Sequence, residues 1–154
     1  MAVRTRKDYA ASMRSERLWL AMTLLLLVPI GFFVKFSLPK NALLPTIVGH
    51  WCCLYGAAIL YEVFWVVFLR FCLPKLSPLN GGLIVLTATC ILEILQLWQP
   101  SWLTAIRNSF WGAALLGTTF DPWDFPHYVI GTGLGMLLLS RIVRWTRRFQ
   151  VQAF

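Results

Sequence analysis

The sequence predicts an all-α fold: a polytopic membrane protein with four transmembrane helices and an interfacial or re-entrant helix between the third and fourth. Three observations predict it. Of 154 residues, 58% are hydrophobic and 13% charged, whereas soluble domains run at about half apolar and about a quarter charged. Four apolar stretches approach the roughly 20 residues that a helix needs to cross a bilayer. Arginine and lysine gather at the chain ends and in one connecting turn.

The first stretch, 18–36, follows the basic leader 1–17 and holds Pro29, where a kink is expected. Leader and apolar run together look like a signal peptide, but the run is long and no small-x-small site precedes Lys35, so a retained span is expected. The second stretch covers 47–69, the third, rather short, 82–98, and the fourth 125–143. LPKNALLP and LPKLSPLNGG read as turns through their Pro, Asn and Gly. Between the third and fourth spans, SWLTAIRNSFWGAALLGTTF is too polar and Gly-broken to cross. Its Trp102, Ile106 and Phe110 recur at helical spacing. A helix at the membrane surface, or a loop rich in aromatic anchors, satisfies that pattern. No repeat or linker divides the chain, so 1–154 reads as a single membrane domain.

Four spans place Arg4, Arg6, Lys7, Arg14, Arg17, Arg70, Lys75, Arg141, Arg144, Arg147 and Arg148 on one side, and Lys35, Lys40 and Arg107 on the other. The positive-inside rule then makes both termini, 1–17 and 144–154, cytoplasmic. The net charge of +8 lies beside apolar spans rather than along a basic stripe. The lipid bilayer, not nucleic acid, is therefore the expected partner.

Against this background CILEILQLWQPSW stands out, because Glu93 and Gln96 sit in the third span. A charge in hydrocarbon costs several kcal/mol, so an intramembrane carboxylate is a functional hypothesis by default. Thr89, Glu93 and Gln96 follow i, i+4, i+7 spacing and share a helix face. At 1.5 Å per residue, Glu93 lies roughly 18 Å beyond Gly81, in the outer half of the bilayer. Arg107, Asp121, Asp124, His127 and His50 converge on the same level, and Arg107 is the expected bidentate partner of Glu93. Two readings stand: a buried clamp fastening the loop to the bundle, or a site for a ligand, headgroup or proton. Glu62 lies toward the cytoplasmic end of the second span, where it reads as a rim or packing glutamate that snorkels or pairs with Arg70, the alternative being a second protonatable step in a relay.

The remaining features carry less. His50 and His127 lack HxxxH or CxxC companions, so interfacial hydrogen bonding is expected rather than a metal or tetrapyrrole. Cys52, Cys53, Cys72 and Cys90 read as small apolar packing residues. The tryptophans cluster near span ends, as in aromatic belts. Gly131, Gly133 and Gly135 point to close helix packing, since no soluble strand precedes them. No GxSxG, phosphate loop or HExxH is present, and no motif indicates a cofactor.

The stretch from Glu93 to Gly131 resembles a family of small bacterial membrane proteins, domain of unknown function 2809. The resemblance rests on Glu93, Gln96 and Leu97; Trp102, Leu103, Ala105 and Arg107; Leu116, Gly117 and Phe120; and Trp123, Asp124, Tyr128 and Gly131. Where members often carry Gly-Asp early in the second span, this chain has Gly49-His50. A looser similarity runs to VanZ-like membrane proteins of the cell envelope. The resemblance implies a bacterial inner-membrane location and a polar cluster of Glu93, Gln96, Arg107, Asp124, Trp102 and Tyr128, with His50, Glu62, Asp121 and His127 as secondary members. The expected function is binding of a lipid-linked or envelope molecule at that cluster. The alternative is an accessory or structural subunit of a larger membrane complex. A carrier would need an inverted repeat or broken helices, and neither is visible.

Overall fold

A computed structural model of the chain describes residues 6–37 and 46–152, with side chains described for residues 13–35, 48–49, 51–52 and 55–146. All regular structure among the described residues is helical. Helix α1, Arg6–Phe32, extends back into the basic leader, whose Ala, Met, Arg and Glu are strong helix formers. Pro29 lies inside it and withholds one backbone donor. At Phe33–Ser37 the run passes into a π-helical turn.

The second run is continuous but not uniform. Helix α2, Thr46–Trp51, passes through a π-helical turn, Cys52–Gly56, into α3, Ala57–Cys72. Helix α4, Pro78–Leu95, begins earlier than the sequence suggested, because the second half of LPKLSPLNGG is helix rather than turn. Ser77 explains this: its hydroxyl accepts from the Asn80 N–H at 3.1 Å, and Pro78 sits where its missing N–H costs nothing. The following connection folds as two short helices, α5 (Ser101–Arg107) and α6 (Phe110–Leu116). One continuous helix through Trp102, Ile106 and Phe110 is thus corrected to a broken pair. The Ser109 hydroxyl caps α6 by accepting from the Gly112 N–H at 3.0 Å. Helix α7, Asp124–Gln152, runs unbroken past residue 143, no Pro or Gly interrupting its basic end.

Helices α3 and α7 form the central pair, and α1 and α4 each pack against both. The α3–α7 contact is close because α7 offers glycines. A Cβ on Gly131 would fall 2.7 Å from the Glu62 Cβ and 2.8 Å from the Ile59 carbonyl oxygen, and one on Gly135 would fall 3.0 Å from the Val66 Cβ. Their i, i+4 spacing places both on the face toward α3, whereas Gly133 has nothing within 4 Å. Gly131→Ala is expected to push the pair apart and cost about 1–3 kcal/mol, as overpacking does. Gly133→Ala should stay within about 0.5 kcal/mol. Unfolding titrations of the two variants in mixed micelles test the contrast.

Burial runs opposite to that of a water-soluble bundle. The core holds Leu20, Val63, Val66, Val67, Val85, Leu139 and Val143, but the interior also holds Glu16, Glu62, Arg70, Thr89, Glu93, Gln96 and Thr132. On α4 the buried residues are Gly81, Gly82, Val85, Thr89 and Glu93, while Leu83, Ile84, Ile91 and Ile94 face outward. Two helices, Met13–Lys35 and Pro78–Leu95, are long and apolar enough to cross a membrane.

Arg70 does not pair with Glu62. Its guanidinium lies 2.6 Å from Glu16 Oε1 on α1, makes a second bond to that oxygen through Nε at 2.7 Å, and donates to the Leu76 carbonyl. The pair is buried and ties α1 to the end of α3. Cys72 is exposed rather than packed inside, and Cys52 and Cys90 are half-buried free thiols. The Cys53 side chain lies outside the described residues.

Candidate functional site: a carboxylate hub at the end of the bundle

Helix α4 turns Thr89 and Glu93 inward, with Gln96 buried at its C-cap, and Glu93 is fully buried. Three neutral donors meet its carboxylate. Gln96 Nε2 donates to Oε2 at 2.9 Å, the Tyr128 hydroxyl to the same oxygen at 2.8 Å, and the Asp121 backbone N–H to Oε1 at 2.8 Å. They come from α4 itself, from α7 and from the loop between α6 and α7, so one side chain joins three parts of the chain. A carboxylate accepting two or three such bonds is well solvated by protein. This explains how it sits in an otherwise apolar helix.

Local sequence builds each donor. In DPWD, Pro122 has no N–H, so the Asp121 side chain turns to the next donor, accepting from the Trp123 N–H at 2.9 Å in an Asx turn. Its other oxygen accepts from the Tyr55 hydroxyl at 3.2 Å. The Asp124 N–H donates to the Asp121 carbonyl at 3.0 Å, and Asp124 occupies the first turn of α7, where the helix dipole favours a negative charge. Tyr128 follows one turn later. Its single O–H hydrogen goes to Glu93, leaving Asp124 Oδ2 as a longer contact at 3.5 Å. Gly117 adopts φ +67°, and a Cβ there would fall 2.5 Å from Gln96 Nε2, so both backbone and space call for glycine.

Arg107 takes another role from the one expected. Rather than pairing with Glu93, its guanidinium donates to the Trp98 and Leu95 carbonyls, each at 3.0 Å. The end of α4 explains this choice, since the last carbonyls of a helix have no partner within it and carry its negative dipole end. α5 therefore folds back to cap α4, with Arg107 buried. Arg107→Leu is expected to destabilise by about 2–3 kcal/mol, the scale of charge-assisted bonds. Arg107→Lys should recover only part, because an ammonium does not fork to two carbonyls; thermal unfolding in detergent measures both.

An aromatic wall borders the acids. Tyr55 stacks on His127 with ring centroids 4.2 Å apart, and Trp51 meets His127 edge-on at 5.6 Å. His127 Nδ1 lies 2.6 Å from the Trp123 carbonyl, which requires that nitrogen to carry the hydrogen. Asp124 is half-buried at the start of α7, with the acids Glu93 and Asp121 and the cationic side chain of Lys35 near it.

The structure thus gathers Glu93, Gln96, Asp121, Asp124, Tyr128 and His127 in one network. It leaves the others elsewhere. Trp102 is exposed and packs edge-on against Trp98. Glu62 is fully buried in the middle of the bundle, where one oxygen accepts from the Thr132 hydroxyl at 2.8 Å and the other has no hydrogen-bond partner among the described residues. His50 lies in α2, but its side chain is outside the described residues. Tyr55 and Thr132 were not anticipated, as a lone tyrosine or threonine in an apolar stretch carries no motif. Among the described residues no group of three or more His, Cys, Asp or Glu side chains is arranged to hold a metal ion.

No curated protein and no solved structure matches the chain. The family model described as Protein of unknown function (DUF2809) matches residues 47–132, from the start of the second helical run through the hub to Thr132 on α7. The match takes in more than half of the sequence, and the chain belongs to that family.

Proposed function

We propose that the chain is a four-span integral membrane protein with both termini cytoplasmic, and that its outer end binds the cationic part of a membrane-borne amphiphile, such as an ammonium-bearing lipid or lipid-linked envelope molecule. Four observations support the spans. The two apolar helices account for two. The run from Thr46 to Cys72 and helix α7, at 27 and 29 residues, are each about 40 Å long at 1.5 Å per residue and carry exposed Phe68, Val129, Ile130 and Leu137. The inverted distribution of polar residues suits hydrocarbon outside. Eleven of the fourteen Arg and Lys residues then fall on one side.

The observation that carries the binding reading is the hub itself. It unites three carboxyl groups, Glu93, Asp121 and Asp124; the donors described to Glu93 and Asp121 are all neutral, and Lys35 and His127 lie on the side of Asp124. Glu93 is consumed in fastening the loop, while Asp124 is only partly buried and accepts no short hydrogen bond among the described residues. A cation beside an acid and an aromatic face gains from both. The test is retention of an alkyltrimethylammonium amphiphile, against an uncharged amphiphile of the same chain length, by native mass spectrometry. Wild type should prefer the cation. Asp124→Asn should remove the preference. Equal retention of both amphiphiles, or an unchanged preference in Asp124→Asn, refutes the reading.

The accessory-subunit reading has one observation in its favour: Trp111 and Phe110 stand exposed on α6 in mutual edge contact, with Phe32 stacked beside Phe110. Co-purification of a membrane partner at fixed stoichiometry, lost in Trp111→Ala, would select it.

A further inference from the structure

The opposite end of the bundle carries a second feature, independent of the hub. Between α1 and the C-terminal part of α7 lies an open groove of about 630 Å³, lined by Trp19, Arg141, Ile142, Arg144 and Trp145. A smaller pocket of about 100 Å³ adjoins it at Ser15 and Thr146. The groove's floor is apolar, with Trp19 and Trp145 edge to face at 4.6 Å. Its rim is cationic. Arg144 uses only Nε, toward the Ser140 carbonyl, and Arg141 makes no bond among the described residues. Glu16, the buried acid of this end, is already engaged by Arg70.

We propose that this groove binds one anionic phospholipid, the phosphate held by Arg141 and Arg144 and the glycerol and first acyl carbons resting on Trp19 and Trp145. Charge complementarity selects the occupant: two guanidiniums with no acid against them among the described residues, over an apolar indole floor, match an anion joined to a hydrocarbon chain, and guanidinium forks fit phosphate oxygens. Basic pockets between helices on the cytoplasmic side hold such headgroups. From the four-span reading the proposal takes only that this end meets the headgroup layer, and its test needs no bilayer.

The test is thermal unfolding in neutral detergent with added phosphatidylglycerol, phosphatidylcholine of the same chains, or inorganic phosphate. Phosphatidylglycerol should raise the unfolding temperature and the other two should not, since a ligand that binds the folded state stabilises it by mass action. R141Q/R144Q should weaken the phosphatidylglycerol affinity about 25-fold, at about fivefold for each arginine. Both residues are exposed, so the variant should unfold like wild type in phosphatidylcholine. R17Q/K75Q removes two exposed charges of the same side outside the groove and should leave the response intact. Equal stabilisation by phosphatidylcholine or by phosphate, a wild-type response in R141Q/R144Q, or an equal loss in R17Q/K75Q overturns the proposal.

Discussion

Replacing Glu93 by leucine is expected to destabilise the protein by about 4 kcal/mol, because it strands Gln96 Nε2, the Tyr128 hydroxyl and the Asp121 N–H together. Each buried donor left without an acceptor costs about 1–3 kcal/mol. Glu93→Gln should cost far less, about 1 kcal/mol. The new amide oxygen keeps one acceptor, the Tyr128 hydroxyl rotates to accept, and Gln96 offers a buried Oε1 that has no partner at present. Unfolding titrations of the two variants in mixed micelles separate a network held by acceptor geometry from one held by net charge. If Glu93→Gln proves as damaging as Glu93→Leu, the carboxylate serves by its charge and the hydrogen-bond account fails.

Arg70→Met is expected to cost about 3–5 kcal/mol, since it leaves the buried Glu16 carboxylate with no cation. The double substitution Glu16→Leu/Arg70→Met should recover most of the loss, because a buried ion pair exchanged for apolar side chains of similar size is often neutral. A double-mutant cycle by thermal unfolding gives the coupling directly. Near-additive losses would mean that the pair is solvated and contributes little, despite the 2.6 Å contact.

What the sequence revealed and what it hid follow from the range of the forces involved. Helix and apolar stretch are local properties, so the all-helical fold was legible from composition and spacing, as was the inward grouping of Thr89, Glu93 and Gln96 from i, i+4, i+7 geometry. The start of α4 was misplaced because Ser77-Pro78 reads as a turn and as a helix cap alike, and only the bond from Asn80 N–H decides. Arg107 was misread for a different reason. Opposite charges suggested Glu93, but the backbone competes for guanidinium, and carbonyls at a helix end leave no trace in residue identity. Arg70 likewise had two acids to choose from. Glu62 lies only two turns away on its own helix, yet Glu16 on another helix took it. Among the glycines of GTGLG the pattern identified a packing surface, but it did not distinguish Gly131 and Gly135 from the open Gly133.

The proposed site takes the four-span arrangement as its premise, under which the two ends of the bundle would face opposite sides of a membrane. The most direct test is side-specific labelling of single cysteines in a background lacking Cys52, Cys53, Cys72 and Cys90. Ser109→Cys lies at the cap of α6, and Lys75→Cys in the turn between α3 and α4; both positions are exposed. In intact cells a membrane-impermeant maleimide should label Ser109→Cys, and should reach Lys75→Cys only after permeabilisation. Labelling of both positions from the same side would contradict the four-span arrangement.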